Sequence, residues 1–168
     1  FIARSLSFSG GFLRQNVSNE KKSIDSKVRM ISIACSTVSS LDLEDVVTFV
    51  EEKSASFLNA EFCRVLVVDN QNQLFLSDFD QGIENCKKNG VNKGVAGSTF
   101  SEKLPLVLSN PEDDERFDSD VDIGKSTKIR NILSVPVFDE NNSVIAVFVA
   151  SNKTDGDFNE SDKSNLSI

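Results

Sequence analysis

The sequence contains no histidine, no tryptophan and no tyrosine, and only one methionine and three prolines. The missing histidine excludes the most. It removes the commonest general base, the commonest transition-metal ligand and the usual partner of a serine or cysteine nucleophile. No paired-carboxylate signature takes its place, so this chain by itself is not expected to be an enzyme or to hold a metal or cofactor. Basic residues are outnumbered: 18 Lys and Arg against 26 Asp and Glu give a formal net charge of -8, the wrong sign for a nucleic-acid-binding face. No apolar run approaches the roughly 18 residues that span a bilayer. Cysteine is limited to Cys35, Cys63 and Cys86, an odd and unpatterned set. That usage suits a reducing compartment rather than a disulfide framework, and the expected location is cytoplasmic.

Phenylalanine is what remains in quantity. Its 13 copies predict a Phe-rich core. With 168 residues the chain is expected to be one domain plus a tail, long enough to bury a core without a disulfide or metal staple. Residues 1–25 read as a linker or disordered lead-in, Ser/Gly-rich at the start, and 26–168 as the domain. The chain opens on Phe rather than Met, so it reads as a piece of something longer.

Helical spacing begins with Ile24, Val28, Ile31, Cys35 and Val38, the pattern of a helix packing on another helix. Next, Asp42 suits an N-cap, with Leu41 and Val46 as its staple. Leu43, Val46, Val47, Val50, Phe57 and Leu58 read as the buried stripe of a helix ending near Asn59. The texture changes at Glu61. F-C-R-V-L-V-V-D and L-F-L-S-D-F-D read as a hairpin, and 81–92 as a polar, turn-rich connection. G-V-A-G-S-T-F-S-E-K reads as a short helix opened by glycine, L-P-L-V-L as a short strand, and 111–124 as an acidic loop with one helical turn. N-I-L-S-V-P-V-F and V-I-A-V-F-V-A flank D-E-N-N-S as a second hairpin, with Pro136 marking an edge or a bulge. A final short helix follows. The fold class is therefore α+β: an antiparallel sheet with helices on its faces.

The acidic run from Glu112 to Asp122 invites a calcium reading. Its spacing does not fit a twelve-residue calcium loop, which needs a specific glycine and a terminal glutamate, so a solvated face is expected.

Several stretches in order (G-V-A-G at 94–97, R-F at 116–117, I-R-N-I-L-S-V-P-V at 129–137, then N-K with F and D following) together resemble the GAF domain. The closer likeness is to the regulatory GAF domains of cyclic-nucleotide phosphodiesterases. Their Asn-Lys, Phe and Asp-Glu motif is matched by Asn152, Lys153, Phe158 and Asp162, with Lys163 in place of the last Glu. The resemblance implies a GAF-like sheet with helices on both faces, a dimer surface of N-terminal helices, and a lidded pocket for cGMP or cAMP. It also implies that Lys153 and Asp162 pair behind that pocket.

By the same resemblance, Phe79 is placed to stack on the purine and Asp80 to read its edge. Val95 and Ala96 offer backbone contacts to ribose and phosphate, and Asp122 and Lys125 lie on the lid helix. Arg64 lies where a small polar residue would help to read the base. From the residues themselves, the glycines around Val95 and Ala96 allow close approach, and a helix start there presents amides to an anion. Ile129 and Val149 depart from the family pattern, since each replaces a polar position of the site. The resemblance thus implies a regulatory cyclic-nucleotide sensor coupled to a separate catalytic domain. A ligand-free GAF domain serving dimerisation or scaffolding is the alternative, and a sensor of another small ligand is a third reading.

Overall fold

The computed structural model describes residues 43–69, 73–77, 87–123 and 128–166. The N-terminal helical stripe, Leu41 and Asp42, and the candidate ligand-site residues Phe79, Asp80 and Lys125 lie outside these residues.

The chain order is α1 (Leu43–Leu58), β1 (Ala60–Asp69), β2 (Leu74–Ser77), β3 (Lys87–Gly90), α2 (Gly94–Glu102), β4 (Leu106–Leu108), a 3-10 turn (Pro111–Asp113), α3 (Ser119–Asp122), β5 (Ile132–Phe138), β6 (Val144–Lys153) and α4 (Glu160–Leu166). The strands form one six-stranded sheet in the order β3-β2-β1-β6-β5-β4, and each neighbouring pair is antiparallel. The fold is α+β, as the pattern of elements predicts.

Strand periodicity sorts side chains to the two faces. On one face, Cys63, Leu133, Val135, Phe148 and Ala150 pack with Leu58 of α1 and Phe158, and Leu166 of α4 joins them. On the other, Leu66, Val68, Ile132, Val147 and Val149 pack with Val95 and Ala96 of α2. Phe75 of β2 meets Phe100 of α2 edge-to-face at 6.0 Å, a geometry that stabilises beyond area burial alone. Full burial of a side chain such as Phe75 or Leu133 contributes about 1.5–3 kcal/mol.

Two expectations need correction. The connection 81–92 contains strand β3, Lys87–Gly90, which pairs with β2. Its K-K-N-G sequence has no apolar alternation because it is an edge strand, where lysine discourages further pairing. The buried stripe of α1 is also narrower than the sequence suggests. Val47 and Leu58 are buried, but Leu43 is 39% and Phe57 is 42% exposed. Each residue turns a helix by about 100°, so Phe57 is carried to the flank of the face that Leu58 buries. Pro136 pairs with Val147 of β6 beyond the reach of β4, which stops opposite Ser134, and a register shift follows at Val137 and Phe138. Edge and bulge both apply there.

Burial pushes the Cys63 thiol up to about 12, with the Glu51 carboxylate adding to the shift. A thiol needs its thiolate form to react. The native protein is therefore expected to leave Cys63 unmodified by iodoacetamide at pH 8, with full labelling in denaturant. Peptide mass analysis of the Cys63 peptide checks this.

Candidate functional site

Of the residues that the resemblance assigns to a ligand site, those within the described structure, Arg64, Val95, Ala96 and Asp122, meet at the N-terminus of α2. That helix has no side-chain cap of its own: Lys93 occupies the N-cap position without making a capping bond. The acceptor comes instead from Asp122, at the end of α3. Both carboxylate oxygens of Asp122 lie 3.1 Å from the Val95 N–H, and one also accepts from the Asp118 N–H at 2.9 Å. Burial raises the Asp122 carboxyl above its ordinary value, while the Asp118 and Val95 amides and Arg64 oppose that shift. Arg64, on the α2 face of β1, donates from Nη2 to the Asp122 carbonyl at 3.3 Å. Strand β1, α2 and α3 are thus joined through one residue.

Gly94 makes this approach possible. Its φ is +71°, and a Cβ there would lie 2.6 Å from Asp122 Oδ1. The second glycine, Gly97, meets backbone rather than side chain, with Val91 O 2.8 Å from where its Cβ would stand. Side chains at Val95 and Ala96 are buried in the core, which leaves the backbone as the part of α2 that meets Asp122. Ile129 and Val149 are also buried in the core on this face. Deeper in, Thr99 Oγ1 donates to Ser134 Oγ at 2.7 Å, tying α2 to β5 through a buried pair with no distinctive sequence signal.

A second constellation lies where β6 ends. Lys153 Nζ is 2.8 and 2.7 Å from the two carboxylate oxygens of Asp162, with side chains only 10% and 13% exposed. The ammonium also lies 5.8 Å from the centre of the Phe158 ring. Asp162 Oδ2 accepts from the Asn159 N–H at 2.9 Å, while Asn159 Oδ1 accepts from Ser161 and Asp162. That reciprocal pattern is a capping box with Asn159 and Asp162 in its two roles, so one carboxylate both starts α4 and holds Lys153.

Asn152 extends the constellation toward β5. Buried and left-handed at φ 61°, it accepts from the Arg130 N–H at 2.8 Å and donates to Glu61 and the Lys128 carbonyl. Asn131, not singled out in the sequence, receives the Lys153 N–H and donates to Gly156 and Asp157. A polar residue directly ahead of the apolar run I-L-S-V was the available signal.

A solvent-open cleft of about 770 Å³ lies beside this second constellation, bordered by Pro111, Glu112, Lys128, Arg130, Asn131 and Lys153. Arg64, Val95, Ala96 and Asp122 do not line it. Asn131 and Lys153 already spend their polar atoms on the contacts above.

The acidic run does structural work. Arg116 donates to both oxygens of Asp114, at 2.8 and 2.7 Å, and Asp118 caps α3 through the Asp120 N–H. Among the described residues, no cluster of three or more His, Cys, Asp or Glu is arranged to hold a metal ion. No helix among them is long and apolar enough to cross a membrane. Arg116 holds the Asp114 carboxyl down at about 2. Carboxyl NMR is expected to show it titrating near there, and Arg116→Gln to raise it. Because the folded value lies below the ordinary 3.8, the stabilisation is present above pH 4 and lost as pH falls toward 2.

The chain belongs to the GAF domain family, whose model matches residues 40–168. It is 26% identical over 135 residues to the dual 3',5'-cyclic-AMP and -GMP phosphodiesterase 11A of Takifugu rubripes, with 68% of this chain and 15% of that protein covered. It is 28% identical over 141 residues to the probable 3',5'-cyclic phosphodiesterase pde-5 of Caenorhabditis elegans, with 76% of this chain and 19% of that protein covered. The chain therefore spans less than a fifth of either protein. Among solved structures, the GAF domain of an Acinetobacter phosphoenolpyruvate-protein phosphotransferase superposes with a TM-score of 0.63 at 22% identity, over 84% of this chain and 85% of that one.

Proposed function

We propose that this is a regulatory small-molecule sensor domain of a 3',5'-cyclic-nucleotide phosphodiesterase, with residues 26–168 as the domain and cGMP or cAMP as its ligand. The observation that carries the reading is the convergence of Arg64, the Val95 amide and Asp122 at the start of α2. A helix N-terminus offers a phosphate amide donors and a favourable dipole, and the Asp122 carboxylate that takes the Val95 amide shows that an acidic group is accommodated beside Gly94. Similarity to two proteins named as cyclic phosphodiesterases supports the same class of ligand. Phe79 is assigned to base stacking, Asp80 to the base edge and Lys125 to the phosphate side. Nucleotide would favour a closed arrangement of α3 over α2 and shift the population of a dimer of N-terminal helices, which passes the signal to a catalytic domain elsewhere in the parent chain.

A ligand bound only by the folded state raises its melting temperature. Millimolar cGMP or cAMP is expected to do so for the wild type and not for Phe79→Ala. An equal shift in that variant would refute the stacking assignment. The second reading, a ligand-free GAF domain serving dimerisation, is favoured by the buried, apolar Ile129 and Val149; no shift with either nucleotide would select it.

A further inference from the structure

We infer that the loop 153–158 is a strap that couples the C-terminal end of α1 to the N-terminal cap of α4, so that a displacement of either helix is felt by the other. In chain order α1 is the first described element and α4 the last. A signal that passes through the domain from one side of the chain to the other therefore crosses this strap. That regulatory meaning rests on the sensor reading; the coupling itself does not.

Asn59 directly follows α1 and is left-handed at φ 53°. Its carbonyl accepts from the Thr154 N–H at 2.7 Å and from Thr154 Oγ1 at 3.0 Å, and its Nδ2 donates to Asp155 Oδ2 at 2.9 Å. The other oxygen of Asp155 lies 3.9 Å from Lys153 Nζ. Lys153 holds Asp162, which in turn accepts from the Asn159 N–H at the start of α4. Polar contacts thus run without a gap from one helix end to the other. An apolar connection runs in parallel: Leu58, the last residue of α1, shares a buried cluster with Phe158, and Leu166, the last of α4, packs against it. Two layers of different chemistry join the same helix ends. The Lys153–Asp162 link is the buried one, whereas Asp155 is 55% exposed and its contacts have the strength of surface pairs. The strap therefore yields first at its α1 end.

Amide hydrogen exchange, which reads local opening, tests the coupling. The Thr154 N–H, bonded to Asn59, reports on the α1 end, and the Lys163 N–H, bonded to the Asn159 carbonyl at 3.1 Å, reports on α4. The Asp139 and Asn142 amides, in the turn at the opposite end of β6, are the reference. Asn59→Gly keeps the left-handed backbone and removes only the side-chain link. It is expected to speed exchange at Lys163 about two- to fivefold, the size of an exposed contact. Asp162→Asn is expected to speed Thr154 by a similar factor. In the double variant the two factors should not multiply, because both substitutions open one connection. Effects confined to each substitution's own helix, factors that multiply, or equal speeding at Asp139 and Asn142 overturn the coupling. Repeating the measurement with millimolar cGMP or cAMP separates the two ideas. Nucleotide that slows both reporter amides together supports the strap as the signal route, and nucleotide that slows only one overturns that route. Nucleotide that slows neither, while the cross-effects persist, refutes the sensor reading and leaves the coupling standing.

Discussion

Asp162→Ala is expected to destabilise the folded domain by about 3–5 kcal/mol, the range for removing one partner of a buried ion pair. The pair is not a surface bridge: the two side chains are 10% and 13% exposed, and both carboxylate oxygens engage Lys153. Alanine would leave that ammonium enclosed, with the Phe158 ring on one side and Asp155 at 3.9 Å as its remaining acid. It would also remove the acceptor for the Asn159 N–H and so half of the cap on α4. Asp162→Asn keeps the shape and one acceptor oxygen, and should fall between the two proteins. Urea unfolding measures the difference through the midpoint at constant slope. A loss below about 1 kcal/mol, the size of an exposed pair, would show that the bridge does not hold the end of β6.

The second large effect is expected at Asn152. Replacement by alanine should cost about 2–4 kcal/mol, from two separable sources. The Arg130 N–H and the Lys128 carbonyl each lose the hydrogen bond Asn152 supplies, at about 0.5–1.5 kcal/mol per bond. The backbone also remains at φ 61°, a region asparagine tolerates and alanine does not, which adds about 1 kcal/mol. Asn152→Gly removes the bonds but not the permissive backbone, so it should be less damaging than alanine by about that amount. Equal stability of the two variants would mean that the left-handed turn carries no strain. The two substitutions also probe different links: Asp162 ties α4 to the sheet, and Asn152 ties the start of β5 to β1 through Glu61.

The sheet was legible because its strands are two-sided. In F-C-R-V-L-V-V-D and I-L-S-V-P-V-F both faces are buried, which gives near-continuous β-branched runs that no surface loop would carry. The turn at Asp139–Ser143 was legible from D-E-N-N-S, since Asp139 accepts from both Asn141 and Ser143 in the way turn-forming aspartates do. Strand β3 was not legible, because an edge strand made of K-K-N-G takes its conformation from the backbone of β2 rather than from its own side chains. Asn131 and Glu61 were missed for a related reason. Their roles depend on partners 22 to 91 residues away, and no local pattern encodes such distances. Asp122 shows the limit most clearly. The family resemblance placed it near the ligand, but its bond to Val95, 27 residues earlier, was visible only once α2 and α3 were folded together. Asn159–Asp162 is the opposite case: the capping-box spacing stood in the sequence and was passed over in favour of the longer-range clasp.

The most direct measurement is a calorimetric titration of the purified chain with cGMP and then with cAMP. Saturable heat at one site per chain, lost in Phe79→Ala, is expected if the face built from Arg64, Val95 and Asp122 is a cyclic-nucleotide site. No heat with either nucleotide at millimolar concentration would contradict that claim and leave the domain as a scaffold whose pocket is closed by its own core.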